Sequence, residues 1–511
     1  MTIDLSVKWI FKVSLKKNII ANYVSQIYVA LIGVLILPIY IKYMGAESYG
    51  LIGFFTMLQA WFAVLDLGLT PTIGRETARF RAGRMSAVEY RRLFRALSAI
   101  FLVIAVLGGG SLLIMAKAIV NQWLSFRLLA QEEVVFSVQI MAICVALRWM
   151  GGLYRGVING NERLVWLSLF NMFVASLRFL AVFASMYFYG FTATVFFVHQ
   201  LLVAAIEYLG LLVMTRHLLP SLGNGEDSVG WSIAPVKPLL KFSLSIAFTS
   251  SVWVLVTQSD KLVLSGILPL AEYGHFTLAV LVAGGIMVLS GPVSNALLPR
   301  MARLYAENKA IELIDLYRRS TRFIAMIIGS VSIVLAMCAK PLLIIWTGDL
   351  ELASTASPIL TLYAWGNGFL ALAAFPYYLQ YAKGNLKYHL VGSMITVGVL
   401  IPAMVFSASK FGGIGAGWAW LLVNALFFFI WVTYTHYRLE PGLQWRWLGL
   451  DCMRTLVPTA LVVWGVVSVM SFSNMRWVAL LQVSGVGVVA LIVSFVSSAN
   501  YQSLRANFKR G

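Results

Sequence analysis

About fourteen stretches of this chain, the first at Ile19–Tyr40 and the last at Trp477–Val496, are apolar over most of their length. Each is near the roughly 20 residues that a helix needs to cross the hydrocarbon core of a bilayer. That pattern leaves few folds open. A lone span in lipid has no water to bond its backbone, so each stretch is expected to be a helix. Composition agrees. Of 511 residues, 60% are hydrophobic and only 12% are charged, about half the charged share of a soluble domain. The chain is therefore expected to be an all-α polytopic membrane protein. Lys8, Lys12, Lys16 and Lys17 precede the first stretch, and no short apolar region with a small-residue cleavage site follows them. The first span is expected to act as an uncleaved anchor with its basic end inside.

The sequence also repeats itself. Tyr49-Gly50 recurs as Tyr273-Gly274, Ala78-Arg79 as Ala302-Arg303, and Gly160-Asn161-x-Arg163 as Gly384-Asn385-x-Lys387, each 224 residues later. Tyr90-Arg91-Arg92-x-x-Arg95 returns 227 residues later as Tyr317-Arg318-Arg319-x-x-Arg322. Two similar membrane halves are the usual build of a secondary transporter. An even number of spans per repeat puts both halves in one orientation, related by a pseudo-two-fold axis along the membrane normal. The expected organisation is an N-terminal bundle of six helices over 1–219 and a cytoplasmic linker over 220–238. A C-terminal bundle of six follows over 239–437, and two extra helices with a tail occupy 438–511.

Net charge is +19, and its distribution sets orientation. With the N-terminus inside, Lys42, Lys117, Arg127, Lys340, Lys410 and Arg476 fall at the outer side, and Arg148, Arg178 and Lys261 fall within spans. The other thirty of the 39 Lys and Arg residues lie on the cytoplasmic side. Both termini are thus expected in the cytoplasm. The basic charge suits an anionic leaflet, and no nucleic-acid partner is expected. The Arg-rich segments Arg75–Arg95 and Arg300–Arg322 are expected to be cytoplasmic loops. Cys144, Cys338 and Cys452 sit in or beside apolar runs and read as buried free thiols.

A charge at the bilayer centre costs roughly 2.5–3.5 kcal/mol on insertion scales, so Arg148 and Arg178 ask for an explanation. Arg148, Gly151, Gly152 and Arg155 share one helix face. The glycines between the two guanidiniums leave room for a ligand or for a neighbouring helix. Ser168, Asn171, Ala175 and Arg178 form a similar stripe on the next span. Further polar faces carry Asn18, Asn22, Ser25 and Gln26; Thr56, Gln59, Ala63 and Asp66; and Ser243, Ser250, Thr257 and Lys261. Together they are expected to surround a wet, positively charged cavity. In the competing expectation, Arg148 or Arg178 pairs with Asp66 or Glu207 and fixes helix packing. Arg155, near a span end, is expected to snorkel to the interface. Asp260 and Lys261 point about 100° apart and are expected to pair structurally. His199 and Glu207 are candidates for proton relay, with a packed polar pair as the stronger expectation. Gly108-Gly109-Gly110 lacks the Lys-Ser/Thr of a phosphate loop and is expected to permit close helix packing.

No nucleotide motif, dinucleotide fingerprint or metal-binding His pair is present in the sequence, so neither an enzyme nor a cofactor is expected. Tyr43-Met44-Gly45-Ala46-Glu47-Ser48-Tyr49-Gly50 resembles the Tyr-x-Gly-x-x-x-Tyr-Gly signature of polysaccharide flippases. Leu65-Asp66-Leu67-Gly68-Leu69 with Arg75-Glu76 resembles the end of their second span. Asp260-Lys261-Leu262-Val263-Leu264-Ser265 with Tyr273-Gly274 resembles the start of their second half. Over nearly the whole chain, the protein resembles the O-antigen flippase (Wzx-type) family of the multidrug/oligosaccharidyl-lipid/polysaccharide (MOP) exporter superfamily.

That resemblance implies a secondary transporter in the bacterial inner membrane. It would move undecaprenyl-diphosphate-linked oligosaccharide from the cytoplasmic to the outer leaflet by alternating access. The implied partners are this lipid-linked substrate, membrane lipids, H+ or Na+ as coupling ion, and the polysaccharide polymerase and chain-length machinery. Arg148, Arg178 and Lys261 are the expected contacts to the anionic head, with Arg155, Asn22, Gln26 and Asn171 lining the cavity. Asp66, Glu207, Asp260 and His199 are the candidate coupling groups. The alternatives are a drug/cation antiporter of the same superfamily, a lipid II flippase, and a non-transporting scaffold. The sign of the intramembrane charge favours an anionic substrate over a cationic drug.

Overall fold

The computed structural model describes residues 15–221, 230, 232–473 and 475–498. Lys8 and Lys12, residues 222–229 and 231 of the expected 220–238 linker and the C-terminal tail from 499 lie outside them. The chain divides into two compact units, Met1–Val254 and Leu255–Gly511, with the boundary inside the helix at 240–265. Among the described residues there are helices and no strand.

The first unit runs α1 (Leu15–Met44), α2 (Ala46–Phe62), a 3-10 turn (Ala63–Asp66), α3 (Leu69–Arg81), α4 (Ala87–Gln122), α5 (Gln131–Gly160), α6 (Leu164–Ser176), a π-turn (Leu177–Ala181), α7 (Val182–Tyr189), α8 (Ala193–Leu218) and the first part of α9 (Leu240–Ser265). The second unit continues with α10 (Leu270–Ala306), α11 (Ala310–Ile324), α12 (Ser330–Met337), α13 (Ala339–Thr347), α14 (Leu350–Ala382), α15 (Lys387–Leu426), α16 (Val432–Leu439), α17 (Leu443–Arg446), α18 (Arg454–Val469) and α19 (Arg476–Ser498).

Twelve helices among the described residues are long and apolar enough to cross a membrane. One of them, Lys387–Leu439, has 53 residues, about 80 Å of helix at 1.5 Å per residue. That is more than twice the hydrocarbon thickness. Gly412, at φ 56°, breaks it midway, so it holds the two expected spans at 388–409 and 414–434. The seventh expected span is α9, 26 residues long, which stands outside the twelve.

The Arg-rich segments are not loops. α3 runs through Arg75 and Arg79, turns at Gly83 with φ 71°, and gives way to α4. Ser86 caps α4, accepting from the Glu89 N–H while the Glu89 carboxylate accepts from the Ser86 N–H, the reciprocal box that starts a helix. In the second unit α10 extends to Ala306 and α11 begins at Ala310. In both places the helices outrun the apolar stretches, and the basic residues ride on helix surfaces.

The repeated motifs have packing roles. Tyr49 and Tyr273 are buried near the starts of α2 and α10, and Tyr90 and Tyr317 are buried in α4 and α11. The Tyr90 hydroxyl lies 2.7 Å from Thr77 Oγ1 and that of Tyr317 2.6 Å from His436 Nε2, so each buried OH is satisfied. Within the second unit, one buried carboxylate ties the C-terminal segment to α11. Asp451 accepts from Arg318 at 2.6 and 3.2 Å and lies 3.5 Å from Arg322. Nearby, Trp447 Nε1 donates to Thr321 Oγ1 at 2.9 Å. The three cysteines are free and buried.

The glycines of α5 answer the question that their sequence left open. Gly152, Gly156 and Gly160 stand one turn apart and face α3, so the room they leave is filled by a helix. A Cβ on Gly152 would lie 2.9 Å from Thr70 Oγ1, and one on Gly156 2.5 Å from Ile73 Cγ2 and 2.6 Å from the Thr70 carbonyl oxygen. Small residues at this spacing let helix backbones approach closely in lipid. Gly108 and Gly109 act likewise, against Phe62 and Ala146, whereas Gly110 faces open space. Gly156→Ala is expected to lower stability by about 1–3 kcal/mol through overpacking, because the Thr70 carbonyl is backbone and cannot yield. Gly110→Ala meets nothing within 4 Å and should melt at or slightly above the wild-type temperature. Thermal unfolding of both purified variants in one detergent makes the comparison, and equal melting points would refute it.

Candidate functional site

Glu207 sits on α8 and is 7% exposed. Its two carboxylate oxygens face three guanidiniums brought from two other elements. Arg148 and Arg155 lie two turns apart on α5, so they project from one face, and α5 packs against α8. Arg178 comes from the π-turn, whose extra residue per turn re-aims side chains within an otherwise regular helix. Arg155 Nη2 bonds Glu207 Oε1. Arg178 Nη2 donates to Glu207 Oε2 at 2.9 Å. Arg148 Nε stands 4.0 Å from Oε2, an ion-pair contact and not a hydrogen bond.

Side-chain amides take up the remaining reach. Arg148 donates to Gln59 Oε1 of α2 at 2.8 Å and to Gln200 Oε1 of α8 at 2.9 Å, and its guanidinium lies 5.0 Å from the Phe55 ring centroid. Gln200 in turn donates to the Arg178 carbonyl at 3.1 Å. Arg155 donates to Asn171 Oδ1 of α6 at 2.7 Å. Two donors are left over: Arg148 Nε and Arg178 Nε are buried without a hydrogen-bond acceptor. Three cations against one anion leave a charge of +2 within membrane-spanning helices, where unneutralised charge is expensive. Arg148 also lines a cavity of about 490 Å³ in the first unit, with Gln59, Asp66, Thr70, Gly152 and Ser250 around it.

Of the residues singled out by sequence, Arg148, Arg155, Arg178, Asn171 and Glu207 come together. Four expectations change. Arg155 does not snorkel outward; its pairing with Glu207 and Asn171 turns it inward. Asp66 is not an arginine partner. It accepts from the Thr70 N–H at 3.2 and 3.3 Å and from the Thr70 hydroxyl, so it caps the start of α3 while lining the cavity. His199 does not pair with Glu207, since its ring nitrogens bond Ser185 at 2.8 Å and the Leu177 carbonyl at 2.9 Å. Asn22 and Gln26 are exposed and bond each other at 3.2 Å. Lys261 and Asp260 belong to the second unit. Lys261 Nζ donates to the Thr257 carbonyl at 3.1 Å and stands 3.7 Å from Asp260. Asp260 also accepts from the Tyr363 hydroxyl at 2.8 Å. Sequence reasoning missed Gln200, although it is a polar residue in an apolar span seven positions before Glu207 and hence on the same face.

Arg155 and Arg178 are 29% and 25% exposed, and Glu207 keeps two arginines if either is removed. Arg155→Gln and Arg178→Gln are therefore expected to fold at a cost of about 1 kcal/mol. Glu207→Ala strips the anion from three clustered cations and is expected to cost about 3–5 kcal/mol. Melting temperatures of the three variants test the order, and a Glu207→Ala variant as stable as the arginine variants contradicts it.

Known proteins extend the picture. The sequence pattern of a family described as "Polysaccharide biosynthesis protein" matches residues 15–305, more than half of the chain. A Shigella flexneri protein named "Putative O-antigen transporter" is 20% identical over 410 residues, covering 80% of this chain and 94% of that protein. Among solved structures, the lipid II flippase MurJ in an inward closed conformation matches with a TM-score of 0.70 at 15% identity, over 94% of this chain and 97% of that one. An inward-facing multidrug MATE transporter of the MOP superfamily matches at 0.62 and 14% identity, over 82% and 95%. At these identities the structures speak for the fold alone. The chain thus carries the fold of MOP-superfamily transporters and belongs to the polysaccharide biosynthesis protein family.

Proposed function

We propose that this protein flips a lipid-linked oligosaccharide across the bacterial inner membrane by alternating access, and that the arginine site of the first unit receives the anionic head. The observation that carries this reading is the charge of the site. Three guanidiniums around one carboxylate leave +2, and a diphosphate diester such as an undecaprenyl-diphosphate sugar carries two negative charges. For these four side chains the sum is neutral, which lowers the penalty of holding charge among membrane spans, while Asp66 of the same cavity is bonded to Thr70. Guanidiniums also suit phosphate oxygens in geometry, because their donors are arranged as a planar fork. A carrier of organic cations would need the opposite sign.

Orientation supports loading from inside. With both termini cytoplasmic, as the Lys and Arg distribution favours, α5 ends in the cytoplasm at Gly160. Arg155 then lies about 8 Å and Arg148 about 18 Å from that end, at 1.5 Å per residue. The lipid tail need not enter the site. Lys261, whose ammonium is taken by Thr257 and Asp260, is not part of this proposal.

The test is a deletion strain complemented with wild-type, Arg148→Ala or Arg178→Ala protein. Diphosphate-linked oligosaccharide should accumulate on the cytoplasmic face without the protein, with loss of surface polysaccharide. Wild type should restore both, and each arginine variant should insert normally yet restore less than about a tenth of the polymer, as expected when a charge-assisted contact worth 1.5–3 kcal/mol is lost. Full activity in both arginine variants removes the site from the mechanism. An unchanged lipid pool with altered sensitivity to cationic drugs points to an antiporter instead.

A further inference from the structure

The arginine site is already occupied. Glu207 Oε1 takes Arg155 and Oε2 takes Arg178, so one carboxylate spans two guanidiniums as two oxygens of a phosphate would. The donors most open to an arriving ligand are on these two arginines, which are 29% and 25% exposed, whereas Arg148 is 10% exposed and its two terminal nitrogens are taken by Gln59 and Gln200. The two donors with no acceptor, Arg148 Nε and Arg178 Nε, are buried and become available only if the guanidiniums move. A phosphate therefore gains its best contacts by exchange with the carboxylate rather than by simple addition.

We propose that Glu207 is a built-in stand-in for the substrate's anionic group: it holds the arginine site when no ligand is bound, and the head of the substrate displaces it from Arg155 and Arg178. The inference rests on the anion-binding reading above and adds the residue that sets specificity. With the carboxylate in place, an anion must outbid a tethered competitor at short range. A monoanion with few oxygens gains too little. A diphosphate brings two charges and enough oxygens to use the spare Nε donors as well. Glu207 thereby works against phosphate-bearing lipids and free phosphate, since discrimination can come from penalising the wrong ligand. It also gives the site a way to let go, because the carboxylate re-forms its own pairs as the ligand departs.

A merely structural carboxylate and a competing one predict opposite signs. If Glu207 only aligns the arginines, its loss scatters them and anion binding weakens. If it competes, its loss strengthens binding, because apparent affinity falls in proportion to the fraction of sites that are self-occupied. The experiment uses the full-length protein in lipid nanodiscs, with inorganic pyrophosphate and inorganic phosphate as probes and calorimetry as the readout. Glu207→Gln keeps the size and hydrogen-bonding reach of the side chain and removes its charge. It is expected to bind pyrophosphate about tenfold tighter than wild type, with a lower pyrophosphate-to-phosphate preference, and pyrophosphate should raise its melting temperature more than that of wild type. Should Glu207→Gln fail to fold, Glu207→Asp decides, since its shorter carboxylate reaches the two guanidiniums less well and should tighten binding to a smaller degree. Equal or weaker binding in the folded variant, with wild type binding pyrophosphate, overturns the stand-in role and leaves the anion site intact. No binding by either folded protein overturns the anion site and the stand-in together.

Discussion

One carboxylate against three guanidiniums organises the first unit. Each arginine alone would cost several kcal/mol among membrane spans, and the partners that offset this cost come from different helices. Gln59 is on α2, Asn171 on α6, and Gln200 and Glu207 on α8, while the arginines come from α5 and the π-turn. A rotation of any of these helices by one residue, about 100°, would strand a charge. Apolar packing in lipid does not choose one rotation strongly, since lipid tails are as apolar as leucine. The charge network supplies that choice, and the glycine stripe of α5 fixes its distance from α3.

The second unit solves the same packing problem without those charges. At the 224-residue offset, the positions of Arg148, Arg155, Arg178 and Glu207 hold Leu372, Leu379, Pro402 and Trp431. Its buried polar contacts include amide, hydroxyl and indole groups. Asn367 donates to the Ala283 carbonyl at 2.8 Å and accepts from Trp420 Nε1 at 3.0 Å. Its ion pairing of the buried Asp451 with Arg318 and Arg322 joins the C-terminal segment to α11. What the halves share are buried tyrosines, parts that packing demands. What they do not share is the cluster of arginines around one glutamate. The repeat therefore reports architecture, and the departures from it report chemistry.

How much of this was legible in the sequence depends on how local each determinant is. Apolar length located the spans, because the bilayer imposes it on each segment separately. The α3–α5 contact was partly legible as small residues at one-turn spacing. Helical continuation of the Arg-rich segments was hidden, since their charge reads as loop and only caps such as Ser86 with Glu89 betray a helix start. The choice of Glu207 over Asp66 as arginine partner was not legible, because it depends on how α5 and α8 pack. Asp66 could have been set aside on local grounds: Thr70, four residues on, offers it both an N–H and a hydroxyl. The re-aiming of Arg178 by the π-turn leaves no sequence signal that we can name.

The composition of the site argues against a purely structural role for its charges. Burying an ion pair rarely adds net stability, and a hydrophobic replacement of similar size often does as well or better. A network kept only to lock helices would be balanced and fully bonded, because each unmet donor adds a penalty. Here the balance is +2, two guanidinium N–H groups are buried without acceptors, and Arg148 opens onto a cavity of about 490 Å³. Such imbalance is tolerable if an anion visits. Functional sites are where local rules of stability are broken, and in this chain the break lies where three cations wait around one carboxylate.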